Sequence, residues 1–430
     1  MVVPSPTSRT IALELLVAVL KRHRPLDEAL EAHVGFSGLE TRERAFARNL
    51  VATTLRRLGQ IDSLISHCLE KPLPRRAIAV RDVLRIGVCQ LLFLNTPPHA
   101  AVDTTVSMLG ELDLTAYKKL VNAILRRLGR EGDKLLDAQD GERLNTPDWL
   151  WESWRRTYGA ETCRAIAQAH LREAPLDLSL NADPEKWAKT LDATVLATGS
   201  IRLAKSAKVT DLPGFDEGAW WVQDAAAALP VALLGDIKGK HVIDLCAAPG
   251  GKSAQLLSRG ASVTAVERSA NRLKRLEENL GRLNLSAQIV CSDAAIWRPE
   301  EKADAVLLDA PCSATGTIRR HPDIPYLKKP EDVEKLHFAQ SRLLEAALEM
   351  VKPGGLIVFC TCSLQPEEGS ALIGKFLDAH PSLRQDQIRP EEVGGLTELI
   401  DDTGALRCLP SHLGELGGLD GFFAARLVLG

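Results

Sequence analysis

Two stretches, LLDAPCSATG at 307–316 and GGLIVFCTCSLQPEEGS at 354–370, put Cys312, Cys360 and Cys362 at the ends of apolar runs of strand length. A thiolate bonds readily to carbon and its adducts can reverse, which suits a nucleophile that must attach and then leave. An unperturbed thiol is only a few per cent ionised at pH 7, and lowering its pKa by ~2 units is worth about 2.7 kcal/mol. A nearby cation or helix N-terminus can supply much of that. Alternation of side chains along a regular strand is expected to keep Cys360 and Cys362 from addressing one substrate, leaving one chemical and the other structural. The nine cysteines are odd in number, with no CxxC pair and no His/Cys cluster at zinc spacing. Reduced thiols are therefore expected, with neither a disulfide nor a metal site.

A third stretch, VIDLCAAPGGKSAQLL at 242–257, runs from an apolar segment through small residues into a helical pattern. Small residues let a ligand approach the backbone, and the start of the following helix offers free N–H groups. The loop is neither GxxxxGK[ST] nor GxGxxG, which argues against ATP and against NAD. Glu267 ends the next apolar run, placed to accept from two ribose hydroxyls. Asp293 follows the third, placed to accept from an adenine amino group. Three successive run ends that each supply part of a nucleoside site are unlikely to coincide by chance.

The elements that must position these residues follow from periodicity. Beyond about residue 240, the short apolar runs HVIDL, SVTAVE, AQIVCSD, ADAVLLDA, GLIVFCTC and GFFAARLVL alternate with helical segments. That pattern predicts a parallel sheet covered on both faces, with its ligands beyond the carboxyl ends of the strands. Up to about residue 145, apolar residues recur at helical spacing and break at KPLPRR and NTPPHAAVD, as prolines require. Residues 146–236 are mixed, with a helix opening in NTPDWLWESWRRTYG, a short strand near LDLSLN, a helix capped by Asp224 and a concentration of tryptophans expected to pack the interior.

The net charge of −3 hides an asymmetry: residues 1–130 carry 19 Lys and Arg against 12 Asp and Glu, and the remainder carries 34 against 44. A basic first segment suggests a polyanionic partner. Its arginine pairs Arg56/Arg57, Arg75/Arg76 and Arg126/Arg127 are expected near helix ends, where cations suit both the macrodipole and phosphates. No apolar run approaches the ~18 residues of a membrane span, and no signal peptide is evident. A cytoplasmic protein without a membrane partner is expected.

The segments DLCAAPGGK, DAPCSATG with IRRHPDI, and TCS resemble the RNA (cytosine-5) methyltransferases that use S-adenosylmethionine, most closely the RsmB-type (Sun/Fmu) enzymes of small-subunit ribosomal RNA. The resemblance implies a Rossmann-like class I methyltransferase domain at 237–430, preceded by an all-helical NusB-like RNA-binding domain at 1–145 and a small α+β connecting segment at 146–236. By the same resemblance, Cys246, Ala247, Ala248, Pro249, Gly250, Gly251, Lys252, Glu267, Asp293 and Asp309 line the methyl donor. Glu267 stands where the family usually has Asp.

The family pattern makes Cys362 the nucleophile and links Cys312 to product release. Cys360 stands where a small residue is expected and is assigned to core packing. Adding a thiolate to C6 of cytosine makes the inert C5 enamine-like and able to accept a methyl group. Asp309 is the candidate to hydrogen-bond N3, in a protonated form that burial would favour. Arg319, Arg320 and His321 are candidates for substrate contact, the arginines through phosphate. Pro325-Tyr326 replaces the usual basic residue and tryptophan. The substrate expected is a cytosine flipped out or held in a loop of 16S rRNA before ribosome assembly is complete, met by a monomer that needs no metal. A tRNA or another rRNA site is the alternative, and a NusB-like assembly factor with a vestigial catalytic domain is the non-enzymatic one.

Overall fold

A computed structural model describes residues 7–74, 77–205 and 207–430. Its contacts divide the chain into two units, Met1–Arg172 with Ile318–Lys328, and Glu173–Thr317 with Lys329–Gly430. The helical pattern therefore extends past residue 145. Two helices within Asp148–His170, broken at Gly159 with φ +83°, belong to the first unit and bury Leu150, Trp154, Cys163 and Ile166.

In the helical unit the apolar stripes of Ser8–Arg22, Thr41–Arg56, Leu58–Cys68, Ile78–Leu92, Pro98–Glu111 and Lys118–Asp137 meet in one core, with Ile11, Leu50, Ile61, Val83, Leu109 and Leu125 all buried. The first helix is capped by Thr7, whose Oγ1 accepts from Thr10 N at 3.2 Å. The helices break at the proline-rich stretches, and Pro98 opens the helix it begins, where its missing N–H costs nothing. Ile318–Lys328 packs within this unit. Asp323 Oδ2 accepts from Leu26 N at 2.8 Å, and Tyr326 Oη donates to Leu55 O at 2.9 Å.

The second unit holds two sheets. The smaller consists of β1 Asp177–Leu180, β2 Ala193–Val195, β3 Ile201–Leu203 and β4 Trp220–Val222, in the antiparallel order β2-β3-β1-β4. Its core includes Trp220, and Arg202 is locked to Asp177 by two bonds of 2.7 Å. Trp154, Trp220 and Trp221 are buried, as packing requires. Asp224 caps the helix Ala225–Ala232 by accepting from Ala226 N at 2.9 Å.

The larger sheet comprises β5 His241–Leu245, β6 Ser262–Glu267, β7 Gln288–Cys291, β8 Ala303–Asp309, β9 Val351–Thr361, β10 Leu383–Asp386, β11 Leu406–Cys408 and β12 Phe422–Leu429. The order is β10-β12-β9-β8-β5-β6-β7, with β11 also on β12. Five strands, β5 to β9, are parallel as expected, but β12 runs antiparallel to β9 and to both β10 and β11. The sheet is mixed, because an apolar run records burial and not direction. Alternate residues face two cores: Val242, Ala265, Leu307, Val358 and Cys360 on one side, Ile243, Val266, Leu308, Ile357 and Phe359 on the other. Parallel pairing of β8, β5 and β6 with β9 brings Leu245, Glu267, Asp309 and Thr361 to the same edge, which is what assembles the site.

Candidate active site

Residues immediately after β8 and β9 bring the two candidate thiols together. Cys312 Sγ and Cys362 Sγ lie 3.5 Å apart, both half-buried. The two loops are tied by their backbones, since Gly316 N donates to Cys362 O at 3.0 Å and Ala310 N to Cys360 O at 2.9 Å. Gly316 is required here: a Cβ on it would lie 2.0 Å from Gly421 O, whose own N–H donates to Gly316 O at 2.8 Å. The Cys312 thiol is raised well above its ordinary range by its hydrogen bond with Cys362, then by burial, then by the charges of Cys362 and Glu368.

The expectation that alternation separates Cys360 from Cys362 does not hold. Residues two apart share a face of a strand, and Cys362 packs against the same core that contains Val358 and Cys360. Depth separates them instead. Cys360 is 0 % exposed and raised well above the ordinary thiol range by burial and then by Asp309, and its Sγ donates to Asp309 Oδ1 at 3.5 Å.

Asp309, at the end of β8, accepts from Lys252 Nζ at 2.7 Å, and its side chain is 34 % exposed. It is thus less enclosed than the burial argument assumed. Burial, the largest single influence, would lower the Lys252 ammonium, but the charges of Asp309, Cys360 and Asp244 and the hydrogen bond to Asp309 together outweigh it and the net shift is upward. Lys252 Nζ also lies 5.1 Å over the Phe422 ring.

The loop of Cys246, Ala247, Ala248, Pro249, Gly250, Gly251 and Lys252 connects β5 to the helix Gly251–Ser258. Gly250 caps that helix with φ +102°, a left-handed conformation that favours glycine. Two oxygens around this loop are buried without a hydrogen-bond partner, Asp244 Oδ1 and Glu267 Oε2. Asp244 is pushed up to about 7 by burial, although Ser253 Oγ donates to its other oxygen at 2.5 Å. Cys246 is pushed up to about 12 by burial and then by Asp309, Glu267 and Asp244.

Glu267 Oε1 accepts from Ser269 N at 3.0 Å, and Arg272 Nη1 lies 3.1 Å from Oε2 while Nη2 donates to Ala248 O at 2.6 Å. Arg272 therefore bridges the ribose candidate to the loop, a link that sequence reasoning missed. Asp293 is exposed and accepts from Ala295 N at 2.9 Å. A glycine-turned backbone ringed by acids, one of which, Asp244, keeps an unpartnered oxygen, fits a cationic nucleoside such as S-adenosylmethionine.

The arginines depart further from expectation. Arg319 belongs to the helical unit and is 1 % exposed. Burial, followed by the charges of Arg319 and Arg56, pushes the adjacent His170 down to about 3. Arg319 is an interior residue, and the phosphate role drawn for it is withdrawn. Arg320 is exposed in the same segment, and His321 Nδ1 lies 3.3 Å from Asp27 Oδ2. Arg56 and Arg57 donate to Arg319 O and Leu171 O at 2.9 and 3.1 Å, and so serve the interior too. Arg126 and Arg127 lie mid-helix rather than at an end. Arg75 and Arg76 lie outside the described residues.

Glu368 was also missed. It is buried in the turn Pro366–Glu368 and bonded to both thiol loops. The PEE run is indistinguishable from a solvated acidic turn in the sequence.

Both parts of the chain match known families. The family described as 16S rRNA methyltransferase RsmB/F matches residues 231–428, and the NusB family matches 6–130. Proteins named ribosomal RNA small subunit methyltransferase B are 33% identical over 98% of both chains in Cronobacter sakazakii and 36% identical over 90% of this chain and 91% of theirs in Escherichia fergusonii. The crystal structure of PH0851 shares the fold with a TM-score of 0.75 and 22% identity over 99% of both chains. Fold and matches together define an S-adenosylmethionine-dependent ribosomal RNA methyltransferase with an N-terminal NusB-like domain. Within that class, the chain belongs to the family of ribosomal RNA small subunit methyltransferase B.

Proposed function

We propose that the chain methylates C5 of one cytosine in 16S rRNA through a transient bond between Cys362 and C6, acting as a cytoplasmic monomer on RNA not yet fully assembled. The observation that carries this reading is the 3.5 Å between Cys312 Sγ and Cys362 Sγ at the carboxyl edge of the sheet. A one-thiol scheme, with Cys312 as nucleophile, gives no reason for the second.

S-adenosylmethionine, when bound, supplies an electrophilic sulfonium methyl group. The 246–252 loop would hold it, with Glu267 at the ribose, Asp293 at the adenine and Asp309 near the reacting end. Cys362 Sγ adds to C6, which breaks the aromaticity of the ring and makes C5 nucleophilic. Asp309, fixed by Lys252, addresses N3 as that nitrogen becomes basic. Once C5 carries its methyl group, its proton is lost through a base system that includes Cys312, whose thiol releases its own proton to solvent as it takes up the one from C5. The electrons of that C–H bond reform the ring double bond, and Cys362 leaves as thiolate. The exposed basic residues Lys119, Arg126 and Arg130 of the helical unit suit the RNA backbone.

Two measurements test this. Labelled S-adenosylmethionine with unmodified 16S rRNA should deposit label on one cytosine, located by bisulfite sequencing. Label on tRNA alone would move the substrate, and no transfer at any assembly state would reduce the chain to a binding factor. In the same assay Cys362→Ala should form no covalent adduct, whereas Cys312→Ala should accumulate one. The opposite pattern would exchange the roles of the two thiols.

A further inference from the structure

We propose that Glu368 is a positioning residue that clamps the Cys312 and Cys362 loops together and so sets the distance between their sulfurs. Its side chain is 0 % exposed. Oε1 accepts from Ser313 N at 2.9 Å and from Gln340 Nε2 at 3.1 Å; Oε2 accepts from Ser363 Oγ at 2.6 Å and from Ser313 Oγ. Ser313 and Ser363 directly follow the two cysteines, so one carboxylate is bonded to both loops a single residue from each sulfur. The two serine hydroxyls are 3.1 Å apart and the two sulfurs 3.5 Å.

The clamp is itself anchored. Glu368 O accepts from Thr361 Oγ1 at 2.9 Å, at the end of β9, and Gln340 also donates to Pro311 O at 2.9 Å. Burying a carboxylate is costly unless donors satisfy it. Here four do, three of them from the residues that follow the thiols. The acid also stands among the groups that hold Cys312 in its thiol form. A neutral tie between the loops would lack that second effect.

The catalytic consequence rests on the covalent reading above; the geometry does not. The test therefore begins on the full chain without RNA or methyl donor. Diamide takes two electrons and two protons from a pair of thiols, leaving a disulfide and the reduced hydrazine, and the rate of the Cys312–Cys362 cross-link is read by peptide mass spectrometry. Glu368→Ala should slow that cross-link at least about tenfold, as expected when a supporting contact is lost. Glu368→Gln can still reach both serine oxygens through its amide, so it should cross-link as fast as wild type or faster. Its Cys312 should alkylate with iodoacetamide at a lower pH midpoint, a change that a merely structural residue would not produce.

Should Glu368→Ala fail to fold, the double variant Ser313→Ala/Ser363→Ala keeps the carboxylate, removes two donors and decides the matter by the same cross-link. Cross-linking at the wild-type rate in the alanine or double variants would overturn the clamp. With RNA, Glu368→Ala should lose about 10²-fold in kcat with KM little changed; a change in KM alone would overturn its role in catalysis. A wild-type protein that cross-links rapidly but forms no RNA adduct would refute the covalent reading and leave the clamp intact.

Discussion

Replacing Asp244 with Asn should stabilise the methyltransferase unit, and by more as pH rises. Asp244 is fully buried at the end of β5, with Oδ1 unpartnered, and its titration moves from 3.8 to about 7. A carboxyl group with a raised folded-state pKa gives its full stability only below the unfolded pKa and loses it as pH climbs through the folded one. At about 1.4 kcal/mol per pH unit, the ionised form costs up to about 4 kcal/mol above pH 7. Asn has the same shape, can accept from Ser253 Oγ and carries no charge at any pH. The gain of Asp244→Asn over wild type should therefore grow by about 3 kcal/mol between pH 5 and pH 8, nearly all of it below pH 7. Urea unfolding followed by hydrogen exchange in β5 would measure this gain at several pH values. A difference that stays flat from pH 5 to 8 would show that Asp244 is not held uncharged by its surroundings, and would remove the argument.

Gly316→Ala should cost about 1–3 kcal/mol or more, because its Cβ would meet the Gly421 carbonyl at 2.0 Å and push the Cys312 loop away. Gly281→Ala, a helix position with nothing within 4 Å of the added carbon, is the control and should gain about 0.5–1 kcal/mol. Thermal unfolding of the two variants side by side would check both signs. Arg202→Met should destabilise the small sheet by about 3–5 kcal/mol by stranding buried Asp177, and adding Asp177→Leu should recover much of the loss in urea titrations. A double variant no more stable than Arg202→Met would show that the ion pair is not what holds this sheet.

The sequence disclosed the strands of the large sheet because each is a continuous apolar run ending in a polar residue. Asp309 and Glu267 could be placed at strand ends for that reason. Strand direction left no such trace, so β12 was grouped with the parallel strands. The face shared by Cys360 and Cys362 was open to view from their spacing, yet alternation was applied to the wrong interval. Their different depth depends on where β9 ends, which spacing does not encode. Arg319 and Glu368 were hidden for a common reason: a charged residue next to another of like charge looks solvated, and only tertiary contacts reveal that it is buried. A helix beginning at NTPDWLWESW was legible, but its membership of the first unit depends on tertiary contacts that spacing does not encode.

The segment Ile318–Lys328 leaves the chain of the catalytic unit directly after the Cys312 loop, packs among the N-terminal helices, and gives way to the catalytic unit again at Lys329. The two halves are therefore interleaved rather than strung end to end. A gene fragment starting near residue 173 would encode every strand of the sheet, yet release Ile318, Ile324 and Tyr326 without the helices that cover them. Such a product should be sticky and prone to precipitate, whereas supplying the missing helices as a separate polypeptide should restore its solubility.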